Sequence, residues 1–178
     1  TRLIGNTGLI TYAGGDWDDT LQPADPRMKD HMISGWTQAL AYQTVTSLHD
    51  ALSGDASSGL TRKLNAMARG MKEDFNRYLI VDGVIAGFGY VEENGELSFM
   101  LHPRDEKTGI RYRLLPQTRS IISRIVDAEQ ARKNLELIDT HLTFPDGIRL
   151  MDCPAGYEGG VSRYFQRAEQ ASCVGREI

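Results

Sequence analysis

Leu60, Leu64, Met67, Met71 and Phe75 recur every three or four residues, and the chain then runs Tyr78-Leu79-Ile80-Val81-Asp82-Gly83-Val84-Ile85-Ala86-Gly87-Phe88. The first spacing is that of one face of a helix. The second stretch is two short apolar runs on either side of Asp-Gly, the strongest short signal for a β-hairpin. A helix followed at once by a hairpin is therefore the local plan, and the segments on either side show which of the two dominates. Upstream, Asp25-Pro26 reads as an N-cap carboxylate with Pro at the first helical position. Met28, Met32, Trp36, Leu40, Leu48 and Leu52 then fall on one stripe. A single helix over residues 26–52 would be roughly 40 Å long at ~1.5 Å per residue.

Downstream, residues 97–101 predict a third short strand, and residues 102–115 are polar and irregular. Residues 116–126, with Ile121, Ile122 and Ile125, predict a helix. Asp127 with Gln130 three residues later resembles a capping box and starts another helix, with Ala131, Leu135, Ile138 and Leu142 on one face. Phe144-Pro145-Asp146-Gly147 ends it, and a last helix is expected from about Val161. The class is mainly α, an array of antiparallel helical hairpins with a small β-hairpin insertion. No repeat and no long linker divides residues 1–178 into two domains.

The 178 residues carry 20 Lys+Arg against 24 Asp+Glu, a formal net charge of −4, with 40% hydrophobic and 25% charged residues. That balance suits a globular domain with a real core. It excludes a nucleic-acid surface, which needs clustered basic residues. Arg111-Tyr112-Arg113 alone does not make one. No apolar run approaches the ~20 residues of a membrane span. Cys153 and Cys173 do not form a disulfide framework and read as reduced thiols. His31, His49 and His141 lack spaced partners, so no metal site is expected.

The sharpest local feature is Gly14-Gly15-Asp16-Trp17-Asp18-Asp19. Cleaving a glycosidic bond needs a carboxylic acid to protonate the leaving oxygen, commonly with an aromatic face against the sugar. Trp17 among carboxylates supplies both. The same residues also suit a purely structural loop, in which Asp16 and Asp18 cap turns and Trp17 packs inward. A calcium loop is excluded, because its sixth and twelfth positions counted from Asp16 hold Leu21 and Arg27 instead of Gly and Glu.

Gly15-Asp16-Trp17-Asp18-Asp19 resembles the Gly-Asp-Trp-Asn-Asp signature of the inverting glycoside phosphorylases. These include cellobiose and chitobiose phosphorylases and the phosphorylase-like domain of cyclic β-1,2-glucan synthases. Further along, Asp82-Gly83 sits where that family has a Trp-Asp-Gly-centred strand pair. Pro116-Gln117-Thr118-Arg119-Ser120-Ile121-Ile122-Ser123 is similar to its Gln-Thr/Ser-Trp-Ala-Val-Leu-Ser-Gly helix start. Phe144-Pro145-Asp146-Gly147 and residues 150–157 resemble the turn and strand that follow.

The resemblance implies part of an (α/α)6 barrel, a ring of six helical hairpins with the active site at one end. Residues 1–178 would form a single partial domain of it. Asp19 would be the general acid, and Trp17, Asp18 and Gln117 would meet substrate. Inorganic phosphate would be the co-substrate, with no cofactor. Asp18 stands where the family has Asn, and Val84, Ile85 and Ala86 replace the aromatic residues that follow Asp-Gly. The implied partners are an oligosaccharide or β-glucan and the remainder of a parent polypeptide, with self-association through exposed apolar stripes. The implied location is cytoplasmic, including the cytoplasmic domain of a larger inner-membrane synthase. An inverting hydrolase, with Glu158, Glu169 or Glu177 as base, and a non-catalytic carbohydrate-binding or scaffold module are the alternatives. Arg163, Arg167 and His102 are candidate phosphate donors without assignment. The chain by itself is expected to be inactive.

Overall fold

Helix gives way to sheet at Leu79, where the hydrophobic period changes. A computed structural model describes residues 4–13, 21–52, 59–154 and 165–166. Helix α2 (Gly59–Tyr78) is followed by strands β3 (Ile80–Val81) and β4 (Val84–Ile85), which pair antiparallel. Asp82 and Gly83 have φ of 52° and 78°. Two successive left-handed residues make the type I′ turn whose twist matches the strands it joins, and Asp-Gly tolerates it. The buried face of α2 is Thr61, Leu64, Ala68, Met71 and Phe75. Leu60 and Met67 of the expected stripe face outward and are exposed.

Residues 26–52 are not one helix. Pro26–Asp30 form a 3₁₀ turn in which the Asp25 carboxylate caps the Arg27 N–H, so the start signal is real but short-lived. Strand β2 (Met32–Ser34) follows, and the Ser34 hydroxyl then caps a new helix, α1 (Gly35–Ala51). All three β2 residues are buried, with Met32 in one apolar cluster and Ile33 in another, as the alternation of side chains along a strand allows. Met28 and Met32 are in the core, yet on a turn and a strand. Helix α1 buries Gly35, Gln38 and Ala39, whereas Leu48 and Leu52 are exposed.

Strands β5 (Phe88–Val91) and β6 (Leu97–Met100) complete a three-stranded antiparallel sheet in the order β2-β5-β6. In it Ser34 pairs with Phe88, and Phe88 with Met100. The β part is thus larger than one hairpin. Helix α3 (Leu114–Ser123) ends at Arg124 in a left-handed C-cap. Helix α4 (Ala128–His141) begins where expected, with the Asp127 carboxylate accepting the Gln130 N–H at 2.8 Å. A second hairpin, β7 (Thr143–Phe144) with β8 (Gly147–Ile148), follows. Where the last helix was expected, Phe165–Gln166 form strand β9, paired with β1 (Gln22–Pro23).

The four described helices pack in series: α2 on α1, α1 on α3, α3 on α4. They do not close a ring. None of the described helices is long and apolar enough to cross a membrane.

Side chains from three directions hold the Asp-Gly hairpin. The Gln117 amide on α3 donates to the Ile85 carbonyl at 2.8 Å, and Gln130 on α4 donates to the Gly83 carbonyl at 2.8 Å. Asn134 joins the two helices: its amide donates to the Gln117 carbonyl (3.2 Å) and the Ser120 hydroxyl (3.0 Å), and its oxygen accepts from Gln130 (2.9 Å). Arg104 grips the Asp82 carboxylate with two N–H groups. Asn134 is fully buried, so an apolar replacement leaves its former partners unsatisfied. Asn134→Leu is expected to lower unfolding stability by about 1–3 kcal/mol, read as a shift in the urea midpoint at unchanged slope.

Candidate active site

Trp17, Asp18 and Asp19 lie outside the described residues, as do Arg163, Arg167, Glu158, Glu169, Glu177 and Cys173. The residues on either side of 14–20 are described. Before 14–20, residues 8–13 belong to no helix or named strand, and Ala13 is a left-handed turn residue with φ of 47°. Gln38 on α1 clamps this stretch with both ends of its amide, accepting from the Ile10 N–H (2.9 Å) and donating to the Gly8 carbonyl (2.9 Å). The Asp74 carboxylate on α2 accepts the Gly8 N–H at 2.6 Å. The Tyr12 N–H donates to the Met32 carbonyl at 2.7 Å, and the Ala13 N–H to the Lys29 carbonyl at 3.1 Å. After 14–20, Leu21 is fully buried and β1 pairs with β9. The Tyr12 hydroxyl donates to the Gln22 side-chain oxygen at 3.2 Å, tying the stretch before residues 14–20 to the stretch after it.

Beneath these residues sits one apolar cluster: Tyr12, Leu21, Met28, Met32, Phe88 and Phe165 are among its members. The Phe88 ring is its hub, with ring centres 6.2 Å from Tyr12 and 5.0 Å from Phe165. One charged group enters: the Arg113 guanidinium lies 4.9 Å from the centre of the Phe88 ring, and Arg113 is 1% exposed. Gly87 makes room for it, since a Cβ there would meet Leu101 Cβ at 2.6 Å and Arg113 Cδ at 3.4 Å. A cleft of about 270 Å³ opens beside this cluster, lined by Asp25, Arg27, Met28, His31, Tyr90 and Glu93 among others.

The other residues singled out in the sequence are placed elsewhere. Gln117 is fully buried with its amide on Ile85, so its side chain holds the hairpin from inside. His102 is also fully buried. Its Nδ1 accepts the Arg104 N–H at 3.1 Å, which leaves Nε2 protonated to donate to the Val81 carbonyl at 3.1 Å. Both ring nitrogens serve the fold, and neither is free to hold phosphate. His141 stacks on Tyr112 at 3.9 Å. Cys153 is unpaired, and burial raises its thiol pKa. Among the described residues no group of His, Cys, Asp and Glu is placed to hold a metal ion.

The burial of Arg113 and Gln38 escaped the sequence reading. Arg113 is buried because its backbone bridges Met151, far along the chain, and its position between Tyr112 and Leu114 carries no local sign of that. Gln38 sits on a helix whose buried face is small and polar, which gives no apolar stripe to follow.

The chain is glycoside phosphorylase-like along its length, as its likeness to two curated proteins shows. The chain is 48% identical over 178 residues to the 1,2-beta-oligoglucan phosphorylase of Listeria innocua serovar 6a, covering 99% of this chain and 16% of that protein. It is 27% identical over 162 residues to the cellobionic acid phosphorylase of Neurospora crassa, covering 90% of this chain and 20% of that protein. The chain therefore spans about a fifth or less of these relatives. No protein-family model matches it.

His102 gives the hairpin a pH dependence. Burial is the main cause that pushes its imidazole pKa below the ordinary value; the Arg104 charge pushes the same way and the Val81 hydrogen bond opposes. The fold holds the neutral ring, while the unfolded chain takes up a proton near pH ~6.5. The contribution of His102 to stability is thus complete above about pH 6.5 and is lost as pH falls below it. Denaturation midpoints measured from pH 7.5 down to 5 are expected to fall, and His102→Gln, less stable at pH 7.5, should show a flatter slope.

Proposed function

We propose that this chain is part of a catalytic domain that phosphorolyses β-linked glucans, with Asp19 as general acid. The observation that carries the proposal is 48% identity along the whole chain to a 1,2-beta-oligoglucan phosphorylase. The residues that flank 14–20 in the sequence are tied to each other by Tyr12–Gln22, and Tyr12 packs on Phe88, which is the kind of support a positioned acid needs.

In the proposed reaction the Asp19 carboxyl gives its proton to the glycosidic oxygen as the bond from that oxygen to the anomeric carbon breaks. An oxygen of inorganic phosphate forms the new bond from the opposite face. The products are a glucan shortened by one unit and a glucose 1-phosphate of inverted configuration, and Asp19 regains a proton from solvent. One carboxyl suffices, because phosphate needs no activating base. Asp18 next to it adds a negative charge, which favours the protonated form of Asp19. Trp17 would face the sugar beside the scissile bond. Cations must hold the phosphate; Arg163 and Arg167, which flank β9 in the sequence, are the candidates. In this reading the described helices are part of an (α/α)6 barrel whose remaining helices belong to the parent polypeptide. The exposed Leu48, Leu52, Leu60, Met67, Ile122 and Leu135 fit faces that such helices cover.

The test uses the full-length protein with β-1,2-linked oligoglucans. Glucose 1-phosphate should form only with phosphate present, and Asp19→Asn should lower turnover by about 10²–10⁴-fold with oligosaccharide binding retained. Free glucose released without phosphate would establish hydrolysis instead, and full activity in Asp19→Asn would remove Asp19 from its role.

A further inference from the structure

The cleft of about 270 Å³ lies between the Pro26–Asp30 turn and the end of β5. Its floor is firm. Met28 is buried in the cluster that also holds Tyr12 and Leu21, and the Tyr90 ring packs against that cluster. Tyr90 sits on the central strand of the sheet, paired with Met32 on one side and Ser98 on the other. Lys107 Nζ stands over its ring, 5.2 Å from the centre. The His31 N–H donates to the Met28 carbonyl (3.0 Å), and the His31 carbonyl accepts the Val91 N–H (2.9 Å). The His31 ring then meets Tyr90 edge-on, with centres 6.4 Å apart. Such a floor is formed before any ligand arrives, as in most small-molecule sites.

The rim is polar. Arg27 holds the Asp25 carboxylate through Nε (2.9 Å) and one Nη (2.6 Å), which leaves its other Nη available. The exposed Glu93 carboxylate, the Tyr90 hydroxyl and the His31 ring nitrogens are likewise without a hydrogen bond among the described residues. Two carboxylates stand against one guanidinium that is already paired, so the rim has no positive charge to spare for phosphate or another anion. Donors next to acceptors around an aromatic wall suit a neutral polyhydroxy ligand. A hydroxyl donates and accepts at once, so a carboxylate and a guanidinium can engage the same sugar unit. The C–H groups of a pyranose pack on the negative face or the edge of an aromatic ring. The volume is just under the ~300–1,000 Å³ of ordinary ligand sites, which limits it to about one hexose unit.

We propose that this cleft is a sugar-binding subsite that holds one hexose unit of a β-glucan, with Tyr90 as its apolar wall and Glu93, Arg27 and His31 as partners of the sugar hydroxyls. A unit held there is one some way along the chain from the bond being cut. The subsite therefore adds affinity for longer oligomers, equally before and during the reaction, and its effect falls on KM and not on the chemical step. The choice of a β-glucan rests on the function proposed above; the sugar-binding chemistry of the cleft does not.

Two measurements on the full-length protein test it. Calorimetric titration with β-1,2-linked oligoglucans in the absence of phosphate reads binding without turnover. Glu93→Gln and Tyr90→Ala should each weaken binding of the longer oligomers by about 10-fold, and the shortest oligomer should lose much less. Glu93 is exposed, so Glu93→Gln keeps the thermal midpoint even if Tyr90→Ala lowers it. In phosphorolysis assays the same two variants should raise KM for the longer oligomers by a similar factor. Weaker binding in the variants of a protein that forms no glucose 1-phosphate would remove the phosphorolytic reading and leave the subsite standing. Unchanged affinity for every oligomer in Glu93→Gln and Tyr90→Ala, an equal loss at all chain lengths, or a change confined to KM for phosphate would each overturn the proposal.

Discussion

The ring of Phe88 is the contact around which the residues that bracket the acidic segment gather. It lies between Tyr12 before the loop and Phe165 of β9, with Arg113 over it. The ring is placed by β5, the central strand of the sheet, through its pairing with Ser34 on one side and Met100 on the other. The preceding residue has to be glycine-sized, because Leu101 and Arg113 fill the space where a side chain would start. A buried aromatic side chain of this kind removes 150–250 Å² from water and loses most of its value if its neighbours shift. The small sheet therefore does more than decorate the helices. It supplies the floor for Tyr12 and Leu21, the described residues that bracket the candidate catalytic segment in the sequence.

A second constraint runs through polar groups. Gln38 joins residues 8–10 to α1, and the Gln117–Asn134–Gln130 set joins the hairpin to α3 and α4. Each of these amides reaches a polar group on another element of the fold. Buried and matched, such groups specify one arrangement more sharply than apolar contacts do. They also explain why helices with little apolar stripe pack in a defined order. Helix α1 buries Gly35, Gln38 and Ala39, so its close approach to α2 and α3 comes from small residues and a hydrogen-bonding clamp.

Much of this was legible in the sequence wherever a local rule decides the outcome. Asp82-Gly83 turned out a left-handed pair, and the Asp127 cap sits where the capping pattern placed it. Helix α2 carries the expected stripe from Leu60 to Phe75 and runs three residues past it, and strand β6 ends one residue short of its expected bound. The reading failed where contacts distant in sequence decide. Met28 and Met32 share helical spacing by coincidence: β2 forms because Tyr90, Gly89 and Phe88 offer it a ladder more than fifty residues on. Phe165–Gln166 are extended because β1 pairs with them. The Gly-Asp-Trp-Asp-Asp motif pointed to the chemistry, and the two phosphorylase relatives support that class. Arg113 could not be found this way, since its burial depends on the bridge to Met151 and the space at Gly87.

The central claim is that this chain helps to hand a glucosyl unit from a β-glucan to phosphate with inversion. Phosphorus and proton NMR of a reaction of the full-length protein with a β-1,2-oligoglucan and inorganic phosphate tests it most directly. The account predicts α-glucose 1-phosphate as the first sugar phosphate to appear. The β anomer, or free glucose with phosphate unconsumed, would contradict it.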